Sequence, residues 1–282
     1  MTQLTIAQCL KLTDEISSVS DTARLDIELL LSHLLQESRT WLFTWSDQLL
    51  TSEQTNQFQQ LLSRRKKGEP IAHIVGQREF WSLPLQVNNS TLIPRPDTEL
   101  LVEQVLDVFS GDESHINRSC LDLGTGTGAI VLALASEKKF WNFIAVDRSP
   151  DAVILAKTNC QQLGFTNVQI LQSDWFDSIP PQTFDVIVSN PPYIDSADPH
   201  LSQGDVIFEP RSALVAENHG LADIKKIIIE SRRWLKDSGW LCIEHGFDQA
   251  EAVQKLFSDS GYSNIQSRKD LGGNDRITFG QL

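Results

Sequence analysis

LDLGTGTGAI, Leu121 to Ile130, decides the fold. A short apolar run ends at Leu123, glycines stand at positions 124, 126 and 128, and a new apolar pattern starts at Ala129. Glycine serves where a backbone turns tightly or is approached closely, and the first N–H groups of a helix have no partner inside it. The stretch therefore reads as a strand, a tight turn and a helix N-terminus. The same alternation spreads outward from it. Strands are expected at Ser119–Gly124, Asn142–Asp147, Val168–Asp174, Phe184–Asn190 and Trp240–Gly246, with two more near Ile265 and Ile277. Helical patterns lie between them, from Gly128 to about Ser136, from about Asp151, from Leu221 to Leu235, and from Gln249 to Phe257. Continuously apolar strands separated by helices imply a parallel sheet covered on both faces, a doubly wound α/β domain over residues 97–282.

Upstream the period changes. Ile27, Leu30, Leu31, Leu34 and Leu35 fall at i, i+3, i+4, i+7 and i+8 and form one stripe of an amphipathic helix. A second helix starts at Thr51, with Gln54 placed to close a capping box, and carries Phe58, Leu61 and Leu62 inward until Gly68 and Pro70 end it. Its last turn holds the basic run Arg64–Lys67, which favours the helix dipole; a patch for an acidic partner is the rival reading. No strand signal precedes residue 71, so residues 1–75 are expected to form a small helical bundle. From Gly76 to Pro96 the short alternating runs broken at Asn88-Asn89 suggest a β-hairpin linker.

Composition narrows the function. Within 282 residues, 24 Lys and Arg stand against 37 Asp and Glu, a net charge of -13. That is the wrong sign for holding a phosphate backbone, so no nucleic acid is expected as partner. Cys9, Cys120, Cys160 and Cys242 form no C-x-x-C pair, and buried reduced thiols are expected. His33, His73, His115, His200, His219 and His245 show no ligand spacing, and no metal is expected. With neither a basic, apolar leader nor a stretch approaching membrane-spanning length, a soluble, cytoplasmic protein is the expectation.

Ligands of such sheets bind at the carboxyl ends of the strands. Asp147 ends the strand after the glycine turn, 147 − 124 = 23 residues on from Gly124, where a carboxylate accepts both hydroxyls of a ribose. The glycines alone remain ambiguous. They also match the dinucleotide fingerprint G-x-G-x-x-G/A with Ala129 in the last place, and a tight turn without ligand is a third reading. The fourth strand, VIVSNPPYI at Val186–Ile194, breaks the tie. Proline fixes its own φ and extends the residue before it, so Asn190-Pro191-Pro192 is a stiff hook. The Asn190 side-chain oxygen and the Pro191 carbonyl are two acceptors suited to a planar NH₂ group, and Tyr193 adds a flat face. Such a constellation holds an amide or aromatic amine with its nitrogen aimed at an electrophile, the arrangement that methyl transfer from a sulfonium requires.

These motifs, together with SDWF at Ser173–Phe176, GQREFW at Gly76–Trp81 and LIPRPDTE at Leu92–Glu99, closely resemble the HemK-type glutamine methyltransferases of peptide chain release factors. The resemblance covers nearly the whole chain. It implies a Rossmann-like sheet of seven strands with the last antiparallel, S-adenosyl-L-methionine as donor, and the Gln of the release factors' Gly-Gly-Gln loop as acceptor. Gly124, Thr125, Gly126, Thr127 and Gly128 would then surround the methionine part of the cofactor, Asp147 its ribose and Trp175 its adenine. Asn190 and Pro191, with Pro192 stiffening the hook, would hold the Gln amide, and Tyr193 would pack on it. The N-terminal domain would recognise the protein substrate, and a monomer is expected.

Trp175 reads equally well as a core aromatic, and Asp122 as a cofactor contact or a brace for the glycine turn. Pro94–Glu99 either shapes the substrate pocket or is a plain helix start capped by Asp97. Two rivals remain: an adenine-amine DNA methyltransferase, which should bring a basic recognition region, and a cofactor-binding protein without catalysis, which has no use for Asn190 and Tyr193 together.

Overall fold

The computed structural model describes residues 3–111 and 115–282 and falls into two compact units. Residues 1–2 of the expected bundle and 112–114 of the expected α/β domain lie outside the described residues.

The first unit comprises the chain up to Gln77 together with Pro199–Phe208. Its helices are Ile6–Leu10, Ala23–Leu35, Arg39–Thr44, Ser52–Lys66 and Ile71–Val75. Thr51 and Gln54 form the expected capping box, and Thr5 with Gln8 forms another. Ile27, Leu30, Leu31, Phe58 and Leu62 are buried in one core, with Leu34, Leu35 and Leu61 at its margin. Arg64, Lys66 and Lys67 are exposed, with Arg64 paired to Glu69 and Lys66 to Glu15. Arg65 is buried, donating to Asp26 Oδ2 at 2.7 Å, to the Val19 carbonyl at 3.0 Å and to the Gly68 carbonyl at 3.2 Å. Pro199–Phe208 was read as part of the α/β domain; the Phe208 ring instead packs 3.6 Å from where a Cβ on Gly68 would stand.

The hairpin strands are Gln77–Phe80 and Leu83–Gln86. Their turn residues Trp81 and Ser82 both have left-handed backbones (φ 52° and 59°), the geometry of a type I′ turn without its usual Asn-Gly. Two hydrogen bonds hold it: Trp81 N–H to Glu99 Oε1 and the Trp81 indole to Glu137 Oε1, each 2.8 Å. The hairpin is no free linker. Phe80 and Leu85 join the core of the second unit, and Asn159 binds both backbone groups of Gln86, at 2.7 and 3.0 Å.

The second unit carries a seven-stranded sheet: β1 (Ser119–Leu123), β2 (Asn142–Asp147), β3 (Val168–Gln172), β4 (Phe184–Ser189), β5 (Leu235–Glu244), β6 (Ser263–Lys269) and β7 (Asp275–Gln281). Their spatial order is β6-β7-β5-β4-β1-β2-β3. β1 lies between β2 and β4, parallel to both, with Leu121 opposite Ile144 and Ile187. β7 is antiparallel to its neighbours β5 and β6. Cys120, Val186, Val188 and Cys242 face one buried cluster, while Leu121, Leu123, Ile187 and Leu241 face the other. That alternation is why the strands read as continuously apolar. The helix expected to reach Leu235 stops at Ser231, because β5 already begins at Leu235. An irregular register between Phe184 and Val186 takes up the extra residues, and Ser238 is left-handed there (φ 64°).

Beyond β4, Ile194–Asp195 pairs in parallel with Val215–Ala216, fixing the chain after the hook. Next to it Asn218, His219 and Gly220 are three successive left-handed residues (φ 53°, 55° and 80°), and Gly220 lies so close to the hook that a Cβ would stand 1.9 Å from the Tyr193 carbonyl oxygen.

Asp26→Ala strands the Arg65 charge in the core and should destabilise the helical unit by about 3–5 kcal/mol, read by chemical denaturation. Gly220→Ala should lower the melting temperature well below that of Gly76→Ala, which shares the left-handed strain (φ 75°) but meets no described atom within 4 Å. Equal melting of the two would mean that the approach to Tyr193 is not tight.

Candidate active site

The strand order reverses between β1 and β4, and the crevice opens at their carboxyl ends. Gly124, Gly126 and Gly128 are all left-handed (φ 72°, 55° and 85°), so the turn after β1 demands glycine at each. The N–H groups of Gly124 and Thr125 both reach the Val146 carbonyl at 2.9 Å. Two carboxylates brace the turn from below. Asp147 accepts from Gly126 N–H through Oδ2 and from Ser149 N–H through Oδ1, each 2.9 Å. Asp122 is fully buried, and its Oδ2 accepts from the Thr125 hydroxyl at 2.6 Å. Asp122 thus braces the turn together with Asp147; its Oδ1 has no partner among the described residues, and burial pushes its carboxyl up to about 7.

Above the turn lies a cavity open on one side to solvent. Thr125, Gly126, Thr127, Asp147, Trp175 and Asn190 line it, with Gly124 and Pro192. Gly128, Pro191 and Tyr193 do not. Gly128 instead serves packing: a Cβ there would stand 3.0 Å from Leu132 Cδ1. Trp175 satisfies both of its readings, since it belongs to a core cluster and also walls the cavity, its ring 3.5 Å from a Cβ built on Gly124. Its backbone is left-handed (φ 48°).

The hook is anchored residue by residue. Ser189 Oγ donates to the Leu123 carbonyl at 2.8 Å, tying the end of β4 to β1. Asn190 Nδ2 donates to Thr98 Oγ1 at 3.2 Å, which turns the amide's acceptor oxygen to the opposite side. Tyr193 is held at both ends: its carbonyl accepts from Gln249 Nε2 at 3.0 Å, and its hydroxyl donates to Glu244 Oε1 at 3.2 Å. Burial raises the Tyr193 phenol far above its ordinary value, with the Glu244 charge adding to the effect.

The segment Pro94–Glu99 serves the pocket and is not capped by Asp97. Pro96–Thr98 make one 3₁₀ turn, neither it nor the helix Glu99–Val108 has a side-chain cap, and Pro94, Arg95 and Thr98 line the cavity. Glu209 secures the segment, accepting from Ile93 N–H at 2.9 Å and from Arg95 at 2.7 Å. Sequence reasoning singled out the segment that holds Thr98 but not Thr98 itself, and missed Glu244 and Gln249. A signal existed for Glu244, an acid closing an apolar strand in the way that Asp147 closes β2. Among the described residues no group of three or more His, Cys, Asp or Glu can hold a metal ion.

Comparison with known proteins agrees with this geometry. Residues 10–76 match the family described as the PrmC N-terminal domain, and residues 114–274 match a methyltransferase domain. The chain is 53% identical over 262 residues to the release factor glutamine methyltransferase of Escherichia coli, covering 93% of each chain. It is 51% identical over 267 residues to that of Shewanella oneidensis, covering 95% of this chain and 92% of the other. Among solved structures, a methyltransferase from Pyrococcus furiosus superposes with TM-score 0.52 at 18% identity, covering 71% of this chain and 88% of that one, a likeness of fold. With half of its residues identical to those relatives over nearly its whole length, the chain belongs to the family of release factor glutamine methyltransferases.

Proposed function

We propose that this protein transfers a methyl group from S-adenosyl-L-methionine to the side-chain amide nitrogen of the Gln in the Gly-Gly-Gln loop of peptide chain release factors. The observation that carries the reading is Asn190, whose NH₂ is engaged by Thr98 and whose side chain lines the cavity beside the glycine turn. An oxygen acceptor there suits a primary amide.

The cavity fits the cofactor. Each Asp147 oxygen accepts one N–H, which leaves lone pairs for ribose hydroxyls. Thr91 Oγ1, in the cavity lining, and Asp122 Oδ1 beneath it are buried polar atoms without a partner among the described residues, as expected where a polar ligand completes the wall. Gly124 and Gly126 let that ligand approach the backbone. When bound, S-adenosyl-L-methionine supplies an electrophilic methyl group on a sulfonium.

The chain's residues do the rest by positioning. An amide nitrogen is a poor nucleophile because its lone pair is delocalised. With the Asn190 oxygen and the Pro191 carbonyl accepting its two N–H groups, positive charge building on that nitrogen is stabilised and the lone pair is aimed. Pro191 and Pro192 keep this pair of acceptors rigid. No general base is required before transfer, and the product's proton leaves to water. The helical unit is read as the part that recognises the acceptor protein. We further propose that the enzyme is a cytoplasmic monomer that does not itself bind nucleic acid; no described helix is long and apolar enough to cross a membrane.

The direct test incubates the protein with labelled S-adenosyl-L-methionine and either a purified release factor or duplex DNA. Label is expected in the release factor, at Gln. Label in DNA, or in neither, would overturn the reading. Asp147→Ala removes a charged acceptor whose hydrogen bonds contribute roughly 1.5–3 kcal/mol, so calorimetry should show cofactor binding about 10- to 100-fold weaker. Asp147→Asn, which keeps one oxygen to brace Gly126, should lose less. Asn190→Ala should slow single-turnover transfer by on the order of 100-fold while melting stays near wild type.

A further inference from the structure

Gln249 stands at the N-cap of the helix Ala250–Asp259, a position that favours a short side chain accepting from the helix's own N–H groups. It makes no such cap. Its amide is spent instead on three backbone groups outside the helix. Nε2 donates to the Tyr193 carbonyl and to the His219 carbonyl, each at 3.0 Å, and Oε1 accepts from Gly246 N–H at 2.8 Å. Both amide protons are used, and the residue is buried. Two carbonyls at one end of the amide and an N–H at the other admit a single orientation, because the flipped group would set donor against donor and acceptor against acceptor.

The chain makes room for this amide at two glycines. A Cβ on Gly220 would stand 2.7 Å from Gln249 Nε2, and one on Gly246 would stand 3.2 Å from Gln249 Oε1. Asn218 and His219, left-handed without being glycine, adopt a backbone that persists only where its surroundings hold it, and the bond to the His219 carbonyl is one such hold. A helix start needs none of this. The hook does. Its front end is tied by Ser189 Oγ to the Leu123 carbonyl and its rear end by Gln249 to the Tyr193 carbonyl. Between the two ties φ is locked at both prolines, so the ties decide where the Pro191 carbonyl points.

We propose that Gln249 is the positioning residue of the hook: its side-chain amide fixes the backbone of Tyr193 and, through the two rigid prolines, the direction of the Pro191 carbonyl that receives the acceptor amide. The inference deepens the acceptor reading above and rests on it. Gln249 does not line the cavity and acts through the Tyr193 backbone. The two acceptors of the hook thus have separate supports, Thr98 for the Asn190 side chain and Gln249 for the Pro191 carbonyl.

The test compares the wild type with Gln249→Met, which keeps the length and removes both donors, and with Gln249→Glu, which sets an oxygen against two carbonyls. Single-turnover methylation at saturating cofactor is followed against the concentration of a purified release factor, with calorimetry of cofactor binding and melting alongside. Tyr193 and Tyr262 are the chain's two tyrosines, so NMR of tyrosine labelled at its carbonyl carbon gives one signal for the hook and one internal reference. In Gln249→Met the saturating rate should fall about 10- to 100-fold, while the half-saturating release-factor concentration and the cofactor affinity stay within about twofold of wild type. The Tyr193 signal should move and that of Tyr262 should not. Gln249→Glu should lose at least as much rate and move the same signal, so it carries the test should Gln249→Met fail to fold. A wild-type saturating rate, a loss confined to half-saturation, a loss matched by weaker cofactor binding, or an unmoved Tyr193 signal would overturn the proposal. A wild-type protein that leaves release factors unlabelled would overturn the acceptor reading instead, while the Tyr193 signal still decides whether Gln249 fixes the backbone of the hook.

Discussion

The site depends on one carboxylate, Asp147, which joins two strand ends by accepting the N–H of Gly126 after β1 and that of Ser149 after β2. Hydrogen bonds to a charged acceptor are among the stronger ones, and here they hold a turn in which three glycines are left-handed. With the turn fixed, the helix Ala129–Glu137 starts where its free N–H groups border the cavity, and β4 can deliver its hook on the other side of β1. The brace is therefore also the floor of the binding site, and any change to it acts on stability and ligand affinity together.

The architecture was legible because its signals are local. β-branched and apolar runs buried on both faces admit few alternatives, so the four central parallel strands Ser119–Leu123, Asn142–Asp147, Val168–Gln172 and Phe184–Ser189 were expected close to where they lie, whereas β5 starts at Leu235, ahead of the expected Trp240. The antiparallel last strand came from the family resemblance. The capping box at Thr51 and the helical stripe from Ile27 to Leu31 are local in the same sense. Misreadings arose where distant chain decided the outcome. The hairpin's turn of Trp81 and Ser82 has no propensity signature, and partners at Glu99 and Glu137 stabilise it. The basic run does end its helix, yet the burial of Arg65 went unread because its partner Asp26 lies 39 residues away. Pro199–Phe208 follows the α/β pattern in sequence but belongs to the helical unit.

The candidate site divides in the same way. Residues whose chemistry is written in a motif, Asp147 and Asn190 above all, stand at the cavity. Pro191 and Tyr193 belong to the motif too, though neither is among the lining residues. What no single motif encodes is the polar support of the hook. Thr98, Glu244 and Gln249 come from three separate segments and meet only in the folded chain.

The four cysteines have a consequence of a different kind. Cys9 is buried in the helical unit, and Cys120 on β1, Cys242 on β5 and Cys160 belong to one core cluster of the second unit. Burial raises every one of these thiols, Cys9 to about 11 and Cys242 to about 12, so almost no thiolate exists in the closed protein at neutral pH. Alkylating reagents attack thiolates, and each cysteine therefore reacts at the rate at which its surroundings open. Without any engineered label the chain carries its own clock for each of its two parts: modification of Cys9 times the breathing of the helices, and modification of Cys242 times that of the sheet.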